Sequence, residues 1–243
     1  MHDDTSPGLD GFNLAFYKCY WDIMSVDVVR VCREFFNTGN FCSSLTNIAS
    51  LLIPKIKTQK QWVISDLSLC HARNRVSALN VDMSKTYDRV IWDFIRAMML
   101  RLGFSAGWVN LVMACVTSVR YTSIRNNYDM EPIALSRGLR QGDPLSPNLF
   151  IIFTEGLTSL LVASDRQGSI HDISVYRNAL STSHLFFANN CYPIFFQANL
   201  KEMVEVKAIL DKYEKLSGHR VNFGKSNLMF GAKVMNVKVV VDQ

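Results

Sequence analysis

The chain has 243 residues, 49% of them hydrophobic and 19% charged, which allows one sizeable core or two small ones and excludes a disordered chain. The formal net charge of +5 permits a nucleic acid partner without arguing for one. No uninterrupted apolar run reaches the ~18 residues of a membrane span, and the opening Met1-His-Asp-Asp-Thr5 is too acidic for a secretory signal. The expected location is therefore intracellular, in cytoplasm or nucleus, with no membrane partner. The six cysteines, at 19, 32, 42, 70, 115 and 191, form no C-x-x-C pair and are expected to be free thiols.

In chain order, Phe12 to Asn37 predicts a helix, with Phe16, Tyr20, Ile23, Val28 and Phe35 at helical spacing and Gly39 as its stop. Leu51-Leu-Ile-Pro54 predicts an extended segment ended by proline. Lys55, Lys57, Lys60, Arg73 and Arg75 follow, against Asp66 alone; a solvated loop and a nucleic-acid contact fit this stretch equally. Ala78 to Val81 predicts a strand. A helix from about Ile91 should turn Trp92, Ile95, Met98, Met99 and Leu102 inward and close at Gly103. Trp108, Leu111, Val112 and Cys115 mark one face of the next helix. Val119 to Arg125 predicts a strand, Asn126-Asn127 a turn, and Ile133 to Leu135 the return. Pro144 opens a helix to about Val162. The apolar runs His184–Ala188 and Cys191–Phe196 flank Asn189-Asn190, and Leu200 to Leu216 is an amphipathic helix ended by Gly218. Helices and strands mix without βαβ alternation, which favours an α+β domain with helices on one face of an antiparallel sheet.

Two stretches suggest chemistry. In Leu79-Asn-Val-Asp-Met-Ser-Lys-Thr-Tyr-Asp-Arg89 a strand delivers Asp82 at its end, where a carboxylate can reach a metal ion. Tyr87 and Asp88 follow; the plainer alternative makes Asp82 a helix cap and Tyr87 a core residue. Ser136-Arg-Gly-Leu-Arg-Gln-Gly-Asp-Pro-Leu-Ser-Pro147 is a glycine-rich loop opening a helix. Gly142 would let the backbone approach a flat substrate, and Gln141 offers a donor and an acceptor beside it. Asp143 suits an N-cap and Pro144 the first helical position. The alternative is a capped loop with no partner.

Together these segments resemble the reverse transcriptase domain of a non-LTR (LINE-type) retrotransposon of the kind abundant in plant genomes. Leu9-Asp-Gly-Phe12 is similar to the family's opening motif, and Leu51 to Lys57 to its fingers strand. Asn80 to Val90 resembles the first catalytic motif, and Ser136 to Phe150 the template- and nucleotide-positioning motif. His184 to Phe196 is similar to the hairpin that normally reads Phe-Ala-Asp-Asp. Ser217-Gly-His-Arg-Val-Asn-Phe-Gly-Lys225 is similar to the motif supplying a lysine near the triphosphate. The resemblance implies a polymerase palm over 76–230, a partial fingers region over 1–75, and an unmatched tail over 231–243. It implies Asp82 as the first metal ligand, Tyr87 as the sugar gate, and Gln141 and Gly142 along the nascent base pair. Lys225 would be the proton donor to pyrophosphate, and Arg137 and Arg140 backbone contacts or solvated charges. The implied cofactor is Mg²⁺ and the implied partners are an RNA template and a DNA primer.

The chain departs from this pattern at Asn189-Asn190, which stand at the Asp-Asp positions. Asparagine keeps the shape but not the anionic oxygens that Mg²⁺ requires. Asp82 remains as the one obvious carboxylate, insufficient alone. Pro193 should weaken the hairpin unless it lies at an edge. Between Cys70 and Asp82 the family places several tens of residues that are missing here. Three readings stay open: a reverse transcriptase by descent that is now inactive, a non-catalytic binder with weak, non-specific affinity for nucleic acid, or a decayed frame without a stable product.

Overall fold

The computed structural model describes residues 12–40, 47–50, 76–125, 128–129, 131–173, 181–186 and 191–230. The Leu51–Pro54 segment, the basic stretch from Lys55 to Arg75, the Asn126-Asn127 turn, Asn189-Asn190 and the tail beyond Phe230 lie outside the described residues. The elements, in order, are α1 (Leu14–Cys19), α2 (Trp21–Thr38), β1 (Asn47–Ser50), β2 (Val76–Asp82), α3 (Trp92–Arg101), α4 (Ala106–Thr117), β3 (Arg120–Arg125), β4 (Tyr128–Asp129), β5 (Ile133–Ala134), α5 (Ser146–Arg166), β6 (Cys191–Gln197), α6 (Leu200–Ser217) and β7 (Asn227–Phe230). They form two compact units that interleave in sequence. One holds α1, α2, β1, α4, β3, β4 and β5; the other holds β2, α3, α5, β6, α6 and β7.

In the first unit β3 pairs in parallel with β1 and antiparallel with β4 and β5, so the hairpin expected to return at Ile133 is present. The single helix expected from Phe12 is two. Asn13 caps α1 by accepting a hydrogen bond from the Phe16 N–H at 3.0 Å, and the chain breaks at Tyr20. Gly39 ends α2 in the left-handed region at φ 72°. Phe35 is buried, but Tyr20, Ile23 and Val28 are exposed, so their spacing marked a helix and not a buried face. In α4 the buried residues are Val109, Val112 and Met113, and Trp108 is exposed. The expected face is thus rotated by one position, because Ala106–Thr117 is apolar nearly all round and its pattern selects no side. Among the described cysteines, Cys19 and Cys32 are free thiols.

The second unit is the α+β arrangement expected of a palm. Its antiparallel sheet runs β6-β2-β7, with Asp82 opposite Cys191, Asn80 opposite Pro193 and Asn227, and Ala78 opposite Phe195 and Met229. Helix α5 packs between α3 and α6, and α6 packs on β6. Val81, Ile95, Met99, Phe153, Ile194 and Tyr213 are fully buried. By length and composition α5 could cross a membrane, although no single apolar run within it is long enough. Its burial describes a core helix: Phe153, Leu157 and Leu161 are inside, and a Cβ on Gly156 would lie 2.5 Å from the Phe94 ring. Helix α6 opens on a side-chain N-cap, Asn199. Asn199 accepts from the Glu202 N–H at 2.8 Å, and the buried Glu202 carboxylate accepts from the Gln197 N–H at 2.8 Å and from the Asn199 side chain at 3.3 Å.

One local expectation is corrected, and a second, that Pro193 costs the hairpin a ladder bond, is located to one side of β6. Asp143 is not the N-cap of α5. Its carboxylate accepts from the Leu145 N–H at 2.8 Å, and the helix starts two residues later, with Leu145 as N-cap and Pro147 in its first turn. Pro193 does not interrupt the sheet. Its carbonyl accepts from the Leu185 N–H at 2.9 Å, and the Phe195 N–H donates to Ser183 at 2.7 Å. Residues 193 and 195 therefore turn their backbone polar groups away from β2, so the donor that proline lacks faces the 183–185 segment.

The end of α6 is tight. Gly218 has φ 80°, and a Cβ there would lie 2.8 Å from the Arg89 carbonyl oxygen and 2.8 Å from Ile91 Cγ1. Gly218→Ala is expected to lower the free energy of unfolding by roughly 2 kcal/mol or more. Gly224→Ala, where the nearest atom is the Asn222 side chain at 3.6 Å, should be nearly neutral. Urea titration of the two variants compares them directly.

Candidate functional site

Strand β2 ends at Asp82, and the connection to α3 runs through residues 83–91. The segment after α6 grips one side of this connection. The Ser84 N–H donates to Arg220 at 2.8 Å, the Asn222 N–H to the Asp82 carbonyl at 2.8 Å, and the Asp82 N–H to Ser226 Oγ at 3.1 Å. A turn closes between the last two, with the Lys225 and Ser226 N–H groups donating to the Asn222 carbonyl at 3.0 and 2.9 Å. That turn carries the exposed Lys225. Burial raises the pKa of the Asp82 carboxyl, and the nearby Lys225 ammonium acts in the opposite direction.

The glycine-rich loop grips the other side. The Gly138 N–H donates to Val90 at 2.8 Å, the Leu139 N–H to Tyr87 at 2.8 Å, and Trp92 Nε1–H to the Gly138 carbonyl at 2.7 Å. Gly138 has φ 97°, and a Cβ there would sit 3.1 Å from the Asp88 carbonyl oxygen. Arg137, Arg140, Gln141 and Gly142 are exposed on this loop, and Gly142, at φ 87°, has open space where a side chain would start. The Tyr87 ring stacks on Phe150 at 4.9 Å, with 18° between the planes, which fixes its orientation from α5.

Asp82, Tyr87, Arg137, Arg140, Gln141, Gly142 and Lys225 thus all lie on the β2–α3 connection or on the two segments hydrogen-bonded to it. Asn189 and Asn190 lie outside the described residues, but the residue that follows them, Cys191, pairs with Asp82. Among the described residues no group of three or more His, Cys, Asp or Glu side chains could hold a metal ion.

Sequence reasoning missed two residues. Gly138 is required where the loop meets Asp88, and its signal was a glycine inside a polar loop, which had been assigned to Gly142 alone. His219 is 1% exposed, among Phe150, Phe153 and Tyr213, with the Phe153 ring centroid at 4.5 Å. Its Nε2–H donates to the Thr86 carbonyl at 2.8 Å, joining the segment after α6 to the β2–α3 connection. Nδ1 has no hydrogen-bond partner among the described residues. Burial lowers the ring pKa to about 4, the Thr86 bond opposes this, and Arg89 adds to it. Nothing in the spacing of histidines signals this role.

Comparisons with known proteins agree with the geometry. The family model described as "Reverse transcriptase (RNA-dependent DNA polymerase)" matches residues 43–239, and the chain belongs to that family. It is 22% identical over 280 aligned residues to the transposon TX1 uncharacterized 149 kDa protein of Xenopus laevis, covering 93% of this chain and 21% of that protein. The chain thus spans about a fifth of that relative's length. It is 36% identical over 107 residues to an uncharacterized mitochondrial protein of Arabidopsis thaliana, covering 39% of this chain and 76% of the relative. The transposon relative agrees with the non-LTR retrotransposon resemblance read from the motifs. Among solved structures, apo telomerase of Candida tropicalis, truncated of its C-terminal domain, superposes with a TM-score of 0.52 at 12% identity, covering 90% of this chain and 43% of that one. Telomerase of Candida albicans with a fragment of telomeric RNA gives 0.51 at 12% identity, over 68% of this chain and 28% of that one. These likenesses establish the fold.

His219 makes a pH prediction. Its folded pKa lies below the ordinary 6.5, so the unfolded chain binds the extra proton between about pH 6.5 and 4. The stability this site contributes is complete above about pH 6.5 and is lost as pH falls toward 4, to a limit of about 3 kcal/mol. His219→Gln keeps a donor for Thr86 and removes the titration. The difference between wild-type and variant unfolding free energies should therefore change across this window and be flat above it.

Proposed function

We propose that this chain is a reverse transcriptase palm that keeps its substrate-facing framework, lacks polymerase chemistry, and binds nucleic acid weakly through phosphate contacts. The observation that carries the reading is the β2–β6 register: Cys191 lies opposite Asp82, and the two residues before Cys191 are asparagines. In the family's chemistry these positions supply carboxylates that hold Mg²⁺ for in-line phosphoryl transfer, a step that is mostly charge neutralisation and positioning. Asp82 is the remaining ligand of that set, and Tyr87 stands where the sugar is gated. Gln141 and Gly142 face the base pair, Arg137 and Arg140 the phosphates, and Lys225 the triphosphate. On this reading residues 76–230 are the palm and 1–75 a shortened fingers region. The basic stretch between Lys55 and Arg75 adds charge for an RNA or DNA backbone.

The purified chain is expected to extend no primer on an RNA template with Mg²⁺, and to bind single strands without sequence preference, with a dissociation constant on the order of 10⁻⁴ to 10⁻⁶ M that weakens as salt rises. Asn189→Asp with Asn190→Asp should improve Mg²⁺ or Mn²⁺ binding and still extend no primer. The family's triphosphate-holding segment is missing before Asp82, and misplacement of about 1 Å costs on the order of a hundredfold. Incorporation by the wild type that Asp82→Ala abolishes would overturn the inactive reading. Extension by the double variant would show that charge alone was lost, and salt-independent affinity would remove the phosphate-contact reading.

A further inference from the structure

The turn between Asn222 and Ser226 carries a residue that the reverse transcriptase reading does not use. Phe223 is 70% exposed, although it sits two residues from Lys225 in a turn closed by backbone hydrogen bonds and fastened at both ends to the backbone of Asp82. The turn's outer surface is open: the nearest atom to a side chain built on Gly224 is the Asn222 carboxamide oxygen at 3.6 Å. A single exposed aromatic is ordinary by itself. The surroundings set this one apart. Among the described residues of the unit containing β2, it is the one large aromatic that stands exposed. The neighbouring rings are packed: Tyr87 on Phe150, Phe94 on Phe153 and Tyr213, and Phe186 on Tyr192. A flat apolar ring and an ammonium group, two residues apart on one hydrogen-bonded turn, offer the chemistry that a base and a phosphate each call for.

We infer that Phe223 and Lys225 form a two-part nucleotide contact, in which the ring stacks on a base and the ammonium meets a phosphate. The inference rests on the reading that this unit binds nucleic acid, and it names the element that senses bases as opposed to backbone. Stacking on an aromatic ring tolerates every base because each has a π-face, so the contact adds affinity without sequence preference. It needs no metal ion. The turn is preordered by its bonds to Asn222 and Asp82, so little conformational entropy is lost when the base arrives. An aliphatic protein partner would meet the same ring, but would have no use for the lysine beside it.

The test uses a labelled oligothymidylate and an abasic strand of the same length, both with EDTA, on the full chain. The wild type should prefer the oligothymidylate. Phe223→Leu keeps apolar bulk but removes the ring, and should weaken oligothymidylate binding by about five- to a hundredfold while leaving the abasic strand unchanged. Phe223→Trp should preserve the preference. Lys225→Ala should weaken both strands and lower the salt slope by about one. Competition by dTTP for the base-dependent part would assign the site to free nucleotides, and its failure would assign it to strands; either result sustains the stacking contact. Oligothymidylate affinity unchanged in Phe223→Leu, equal losses on both strands, or a change in self-association alone would overturn it. Wild-type protein that binds both strands equally removes the stacking contact and leaves the phosphate reading intact. Binding to neither strand removes both.

Discussion

The connection from β2 to α3 is the piece on which the whole site depends. It is held on one flank by the segment that follows α6 and on the other by the glycine-rich loop. Bonds from Ser84, Gly138, Leu139 and the His219 ring start from it or end on it, and those from Asn222 to Asp82 and from the Trp92 indole to Gly138 fasten its two ends. Each such bond contributes only about 1 kcal/mol net, but leaving a buried donor or acceptor unpaired costs more. None of the bonds uses a metal-binding carboxylate. The framework can therefore persist when the chemistry has gone, and the positions that tolerate least are glycines. Gly218 against Arg89 leaves no room for a Cβ, and Gly138, at a positive φ, would bring one within a tight 3.1 Å of the Asp88 carbonyl oxygen.

Much of this was legible in the sequence where local rules and burial agree. The strand ending at Asp82, the stop at Gly39 and the amphipathic α6 ended by Gly218 are found as expected. The expectations that missed are those a one-dimensional pattern cannot settle. The face of α4 was ambiguous because nearly every residue in it is apolar. Asp143 and Pro144 make a good helix start, yet they form the turn before it, since Asp143 is used to hold Leu145. His219 and Gly138 act through partners more than 45 positions away, Thr86 at a separation of 133 and Trp92 at 46, which spacing within a motif does not reveal. Pro193 marks a lost ladder bond in the sequence but not its side: in the fold the missing donor faces the 183–185 segment and the pairing with β2 is kept.

The electrostatic consequence of Asn189-Asn190 reaches beyond the loss of metal ligands. On the proposed reading, two negative charges are absent from a site whose turn before β7 carries Lys225 and whose glycine-rich loop carries Arg137 and Arg140. An intact polymerase site balances its carboxylates with Mg²⁺ beside the fixed lysine and arginine cations. Here the cations are left to face phosphate directly, which favours backbone binding without metal and gives it a salt dependence. Loss of catalysis and retention of weak nucleic-acid affinity then have one cause.

The most direct test of an intact framework is native-state hydrogen exchange. If the β2–α3 connection is held as described, the amides of Ser84, Gly138, Leu139 and Asn222 exchange with the same protection as the core amides of β2, because they open only when the unit unfolds. Exchange of these four amides at the rates of unprotected loops, with β2 still protected, would contradict it and leave the site residues near one another in sequence pattern alone.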